Sequence, residues 1–139
     1  MLLRGRGVAR RARPAVAALL AAGLWSGCAR GTAVSSRVDV ISRLSPAAPS
    51  VGPAILTIIL HDPKGDAIRG ATVRLEAHMS HPGMAPIVAD GREQNPGVYD
   101  LPFTFTMQGD WALLVSVQLP GGERLARRID VANVRPALK

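Results

Sequence analysis

The chain has one cysteine in 139 residues, and this scarcity excludes several kinds of protein. Because Cys28 has no second thiol to pair with, the fold holds no internal disulfide. Aromatic residues are also few, at 4% of the chain, and they are not interleaved with a basic surface. The sequence therefore lacks the features of a disulfide-rich scaffold and of a nucleic-acid-binding protein.

Catalytic motifs are missing as well. The chain has no G-x-S-x-G, no H-E-x-x-H and no glycine-rich phosphate loop. The acidic residues considered as a possible acid–base pair are scattered over predicted turns, at Asp62, Asp66, Asp90 and Glu93. Residues of this kind in turns are typical turn formers and make no paired acid–base set. We therefore expect that the protein is not an enzyme.

Residues 1–27 have the layout of a secretory signal peptide. Five arginines and no acid precede an apolar run at residues 15–24, which is shorter than the roughly 20 residues of a membrane span. The run ends in Leu24-Trp-Ser-Gly-Cys28, which resembles a bacterial lipobox except for its tryptophan. We predict lipidation of Cys28; the alternative is an ordinary signal peptide beside an unrelated cysteine. The expected location is a bacterial membrane, facing the periplasm or the cell exterior.

The charge of the exported part is modest. Five of the 17 basic residues precede Cys28, which leaves 12 basic against 10 acidic residues, a net charge of +2 instead of +7. Residues 28–53 are rich in Ser, Ala, Pro and Gly and indicate a flexible tether, in which residues 38–41 have the composition of a short first strand. The balance of charges gives no reason to expect a nucleic-acid partner.

Residues 54–133 indicate one small all-β domain, followed by a C-terminal tail at 134–139. Apolar and polar residues alternate between turns, and no helical periodicity of useful length is present. Strands are predicted at 54–60, 71–78, 99–107, 111–119 and 125–131, with a further short one at 87–89 inside a segment, 80–97, that is mainly loop. Short strands at this spacing predict an immunoglobulin-like β-sandwich of about seven strands.

Two aromatic residues have predicted structural roles. The segment Asn95-Pro-Gly-Val-Tyr99 enters a strand and resembles the tyrosine corner of immunoglobulin-like sandwiches. In such a corner the tyrosine hydroxyl bonds to backbone upstream, and we predict this for Tyr99. We predict that Trp111, which begins the next apolar strand, packs in the core.

The sequence concentrates soft metal donors in one region. Apart from the initiator, its methionines are Met79, Met84 and Met107, and His78 and His81 lie beside the first two. Strand parity predicts that Met79 and Met107 lie on the core face near the rim, whereas His78 points outward. The preferred ligand set is therefore the three methionines with His81, and His78 is held in reserve.

These donors favour copper over other metals. Thioethers select Cu(I), and an imidazole also accepts Cu(II). Zinc prefers cysteine, histidine and carboxylate, of which this region offers little. The alternative is that the methionines fill gaps in the core and that the histidines are simply solvated. His61, which precedes a turn, is predicted to be a surface residue away from the cluster.

Four segments together resemble the YtkA-like domain, which is related to the soluble part of the FixH family. They are Gly70–Met79, His81-Pro-Gly-Met84, Pro96-Gly-Val-Tyr99 and Phe105-Thr-Met-Gln-Gly-Asp-Trp111. The resemblance covers about residues 50–132 and implies an extracytoplasmic immunoglobulin-like domain. Such domains are similar in shape to small copper-carrying sandwiches and often accompany copper trafficking or respiratory oxidase assembly.

Two functions follow as expectations. The first is a lipid-anchored copper-trafficking accessory protein that works with an oxidase-assembly or copper-efflux partner. The second is a protein-interaction or scaffolding module of the cell envelope that binds no metal. Unlike FixH proper, the chain has no membrane span beyond the predicted signal, and the lipobox would replace it.

Overall fold

The computed structural model describes residues 38–137, which form two antiparallel β-sheets and contain no helix. The strands are β1 (Asp39–Ser45), β2 (Gly52–His61), β3 (Thr72–Met79), β4 (Ile87–Asp90), β5 (Arg92–Asn95), β6 (Val98–Phe105), β7 (Gly109–Gln118) and β8 (Arg124–Val134). The first sheet has the order β1-β2-β6-β5 and the second the order β4-β3-β7-β8. The predicted all-β sandwich is confirmed, with eight strands in the described residues in place of about seven.

The core lies between the inner faces of the two sheets. Because side chains along a strand point alternately to opposite faces, every second residue of the central strands is buried. The buried apolar residues are Ala54, Leu56, Ile58, Leu60, Val73, Leu75, Ala77, Tyr99, Leu101, Phe103, Phe105, Trp111, Leu113, Val115, Val117, Val131 and Val134. The described residues include no buried polar or charged residue. One hydrophobic core therefore holds both sheets together.

Three aromatic rings pack at one end of this core. The Phe105 ring meets the Phe103 ring edge-on at a centroid distance of 4.8 Å, and it meets the Trp111 ring at 5.4 Å. Edge-to-face pairs of this kind add about 0.5–1.5 kcal/mol to the effect of burial. The cluster closes the end of the sandwich at which β6 ends and β7 begins.

Two strands, β1 and β5, differ most from the prediction. β1 is longer than the short strand predicted at 38–41, and it pairs with β2 from Asp39↔His61 to Ser45↔Ile55, within the range predicted as tether. β5 was predicted as loop and is a strand. All four of its residues are exposed, so it has no alternation to detect, and pairing with β6 holds it in place.

Tyr99 is buried and ties its strand to the loop before β3. Its hydroxyl donates a hydrogen bond to the Ile68 carbonyl (2.8 Å) and accepts one from the Ala71 amide (3.0 Å). Burial is the main cause that raises the pKa of Tyr99 above its ordinary value. The hydroxyl is thus a neutral group that both donates and accepts within the corner.

Glu93 was predicted to lie in a turn, but it lies in β5, and its carboxylate completes this corner. Glu93 accepts hydrogen bonds from the amides of Gly97 (3.0 Å) and Gly70 (3.1 Å). Both bonds lower the pKa of Glu93 below its ordinary value, and the bond from Gly97 has the larger effect. The ionised side chain therefore joins β5 to two separate turns.

The predicted signal peptide at 1–27 and the predicted lipidation site Cys28 lie outside the described residues. Among residues 38–137, no helix has the length and apolar character needed to cross a membrane.

Candidate metal centre

Met79 is the last residue of β3 and lies at the end of the sandwich where the aromatic rings pack. Its Cα registers with that of Trp111 on β7, and its side chain is half-buried against the core. The Met79 Cε lies only 3.4 Å from the point that a Cβ on Gly109 would occupy. Gly109 has a φ of +123°, which side-chain-bearing residues rarely adopt. The thioether of Met79 therefore rests against backbone that a larger residue would crowd.

Met107 does not lie on the core face, and the parity prediction for it is wrong. β6 ends at Phe105, and residues 106–108 leave the strand before β7 begins. The alternation stops at that point, so the Met107 side chain is 45% exposed. Its carbonyl accepts a hydrogen bond from the indole Nε1 of Trp111 (3.1 Å). The buried tryptophan thus anchors the backbone of Met107 at the same end of the sandwich as Met79.

The loop between β3 and β4 carries the other predicted donors. Its first residue, Ser80, donates a backbone hydrogen bond to the Asp110 carbonyl (3.0 Å), which keeps the start of the loop beside β7. His81 and Met84 are exposed, and Met84 is 48% accessible. Within residues 38–137 no hydrogen bond or ion pair holds the His81 ring. Both side chains are free to reach solvent or a bound ion.

His78 lies on the other side of β3, on the outer face of the second sheet. Its Nε2 is 3.5 Å from the Glu76 carboxylate but makes no hydrogen bond within the described residues. Its Cα registers with that of Ala112, so it sits beside a small residue of β7. Strand geometry therefore separates His78 from the thioether of Met79, which points to the inner side.

The structure brings Met79 and Met107 to one end of the molecule, with His81 and Met84 on the loop that follows Met79. Within residues 38–137, no group of three or more His, Cys, Asp and Glu is arranged to hold a metal ion. The donors available at this end are thioethers and one imidazole, which suit a soft ion such as Cu(I). The Asp110 carboxylate, three residues after Met107, accepts a hydrogen bond from the Asn133 amide (2.9 Å).

Sequence reasoning missed Gly109 and Asp110 as parts of this site. Gly109 makes room for the Met79 side chain, and the backbone of Asp110 holds the start of the donor loop. The only signal in the sequence for the positive φ of Gly109 is that a glycine follows the predicted end of a strand. The pairing of β3 with β7, which gives both residues their role, depends on residues more than 30 positions apart.

A sequence profile described as YtkA-like matches residues 35–116, which is 82 of the 139 residues. No curated protein matches the chain. The matched range contains the whole candidate site, from the end of β3 to the first residues of β7.

Solved structures share the fold at low identity. A DUF4426 family protein from Pseudomonas aeruginosa is 13% identical, with a TM-score of 0.52 over 73% of this chain and 93% of that protein. An engineered protein is 16% identical, with a TM-score of 0.50 over 72% of this chain, which spans only 20% of that protein. CopC from Methylosinus trichosporium is 13% identical over 73% of this chain and 97% of that protein, and its TM-score of 0.48 is too low to support a conclusion. The first two similarities show the fold alone.

Proposed function

This chain belongs to the YtkA-like family, and from that premise we propose that it is a copper-binding protein of the bacterial cell envelope, anchored by a lipid at Cys28. It captures copper with thioethers and the His81 imidazole and hands the ion to a respiratory oxidase-assembly or copper-efflux partner. It carries out no chemical reaction of its own. The proposed ligands are Met79, Met84 and Met107 with His81.

The exposure of two methionines, one on the loop that follows Met79 and one at the end of the sandwich where Met79 lies, is the observation that carries this proposal. Met84 and Met107 are 48% and 45% exposed, and Met79 is half-buried at the same end. Full burial of a methionine side chain stabilises a fold by about 1.5–3 kcal/mol, so exposed methionines forgo much of that gain. A binding role would explain why the methionines after the initiator lie at one end of the sandwich or on the loop that follows Met79.

Methionine ligands also fit capture and release outside the cytoplasm. A thioether is uncharged and needs no deprotonation to bind, and it selects Cu(I). The exposed side chains of Met84 and Met107 let a partner's donors approach the ion while it is still bound. Transfer by ligand exchange requires such an open site.

A Cu(I) titration of residues 29–139 against a chromogenic chelator tests the proposal. We expect one ion to bind in the wild type and binding to fall at least tenfold in the double variant Met79→Leu/Met84→Leu. Leucine keeps the apolar volume, so stability should change by less than about 1.5 kcal/mol per site. Circular dichroism checks that the variant retains its fold.

Two features of the chain provide controls. His61 lies at the opposite end of β2 from the site, so His61→Gln should leave copper binding unchanged, whereas His81→Gln should weaken it. Trp111 is the only tryptophan after Cys28, so its fluorescence reports directly on an ion bound beside Met107. Absence of binding at micromolar Cu(I), with a folded protein, would remove the copper proposal.

A second function is favoured by the same exposed side chains. Flexible methionines on a surface suit contact with apolar partners of varied shape. On this alternative, Met84 and Met107 form part of a protein-binding surface and hold no metal. Methionine-to-leucine changes would then leave partner binding nearly intact, whereas they would abolish copper binding under the first proposal.

A further inference from the structure

The outer face of the first sheet carries an apolar patch that the core does not use. Ile59 of β2 pairs with Ile41 of β1 on one side and with Val98 of β6 on the other. Ile55 lies on the same face of β2, four residues before Ile59. Ile41 and Ile55 are 37% and 42% exposed, and the other two are half-buried. We call these four residues the isoleucine patch. The solvent-facing side of an antiparallel sheet is usually polar, so the patch requires an explanation.

A polar row crosses the patch between Ile59 and Ile55. In this row the Thr57 hydroxyl donates a hydrogen bond to the Asp100 carboxylate (2.7 Å). Arg43 and Arg92 stand at the two ends of this polar row, and neither guanidinium has an ion pair or hydrogen bond within residues 38–137. Asp39, at the start of β1, is the other acid on this face. Uncommitted arginines beside exposed aliphatic residues suit a surface of phosphate headgroups.

The patch is too small to bind a protein stably by itself. A stable interface buries about 800 Å² and 20–30 residues on each partner, whereas the patch has four residues, two of them half-buried. A weak contact is sufficient where a tether already holds the surface close, because the effective concentration is then in the millimolar range. The occupant that this patch fits is therefore one to which the chain is already attached.

The sequence before β1 supplies such a tether. Ten residues separate Cys28 from Asp39, and a chain of that length reaches at most about 40 Å when fully extended. β1 is an edge strand of the sheet that bears the patch. Arg30 and Arg37 add positive charge to this segment. A lipid at Cys28 would thus hold this face within reach of the bilayer.

We propose that the outer face of the first sheet lies against the anionic lipid surface to which Cys28 anchors the chain. This inference rests on the lipid anchor in the proposed function. Asp39 lies at the opposite end of the sandwich from the candidate metal centre. An upright domain would hold that centre about 30 Å farther out, the length of a ten-residue strand. A domain lying on its face instead keeps it beside the membrane, where a membrane-bound partner is accessible.

The test compares two matched fluorescent probes on the full chain. Ile55→Cys places a probe on the isoleucine patch, and Leu114→Cys places one on the outer face of the second sheet, where Leu114 has a similar exposure of 38%. Each variant is purified from membranes, labelled and reconstituted into phosphatidylglycerol–phosphatidylcholine vesicles that contain a headgroup-region quencher lipid. We expect at least twofold stronger quenching at position 55. Equal quenching at both positions would overturn the proposal.

Further arms separate the possible causes. The double variant Arg43→Glu/Arg92→Glu should reduce quenching at position 55 if anionic headgroups are the partner, and unchanged quenching would contradict that. A probe signal at position 55 that depends on protein concentration in detergent, without lipid, would assign the patch to a second copy and overturn the proposal.

Mass spectrometry of the N-terminus distinguishes failure of the lipid anchor from failure of the docking proposal. An unmodified Cys28 would contradict both the proposed lipid anchor and the proposed docking. A lipidated Cys28 with equal quenching at positions 55 and 114 would contradict the docking alone.

Discussion

At the scale of the residue, glycines determine where other groups can approach. Gly109 leaves room for the Met79 methyl group, and Gly97 allows an even closer contact. A Cβ on Gly97 would lie 2.8 Å from the Leu60 carbonyl oxygen and 3.0 Å from the Ala67 Cβ, and its φ is +72°. Both the backbone conformation and the lack of space therefore require glycine at position 97.

We expect Gly97→Ala to destabilise the fold strongly. Strain at a positive φ and overpacking against Leu60 together cost about 2–5 kcal/mol. Gly65→Ala is the matched control, because Gly65 has a φ of +89° with no atom within 4 Å of its Cβ position, so it should lose only about 1 kcal/mol. Urea unfolding followed by circular dichroism gives both values. Equal losses at the two sites would show that the contact with the Leu60 carbonyl has no effect.

At the scale of the element, β8 is an edge strand with a charge on its inner side. The side of β8 that faces the core carries Leu125, Ile129 and Val131. Arg127 lies on this same side of the strand, but its side chain is exposed. An inward charge on an edge strand opposes pairing with another chain. We therefore expect Arg127 to oppose pairing of another chain with β8, the longest strand in the described residues.

Arg127→Val should promote association without loss of the fold. Valine completes the apolar alternation of β8, and the monomer's free energy of unfolding should change by no more than about 0.5 kcal/mol. Light scattering at rising protein concentration should show aggregates in this variant and none in Arg127→Lys, which keeps the charge. If both variants remain monomeric, the inward charge has no protective role.

The corner at β5 is an element whose stability should depend on pH. The folded state lowers the pKa of Glu93 from its ordinary 4.5, because the Gly97 and Gly70 amides stabilise the carboxylate. A lowered pKa in the folded state adds stability above pH 4.5 that is lost as the pH falls through the folded value. The strand β5 should therefore be held less firmly in acid.

We expect the difference in unfolding free energy between the wild type and Glu93→Gln to be constant near neutral pH and to shrink below pH 4.5. Asp66→Asn is the control, since the Asp66 carboxylate makes no hydrogen bond or ion pair in the described residues. Urea midpoints over a pH series give the result. If the difference in unfolding free energy between the wild type and Glu93→Gln does not vary with pH, the ionised carboxylate is not the cause of that difference.

At the scale of the whole molecule, one core spans both sheets and contains no buried charge in the described residues. Small domains with a single core usually unfold in one cooperative step. We expect the urea midpoint from Trp111 fluorescence, which reports on β7 at the candidate metal centre, to coincide with that from far-ultraviolet circular dichroism. An earlier fluorescence transition would show that this end opens independently.

Most of the fold was predictable because strand alternation is a local property. The buried residues of β2 and β7 follow their sequence periodicity directly. β5 escaped prediction because it is exposed on both sides, and Met107 was misplaced because the alternation predicted for its strand ends at Phe105. Neither failure has a local signal, since strand ends depend on the partner strand.

The sequence by itself determined the β class, the likeness to the YtkA-like family and the choice of soft donors. Only the tertiary structure decided which of those donors share an end of the molecule. Pairing of β3 with β7 sets Met79 beside Trp111, and the Trp111 indole then holds the backbone of Met107. The tertiary structure also placed Ile55 on an exposed face. Periodicity assigns residues to two faces of a strand, whereas only packing between distant strands determines which face becomes the core.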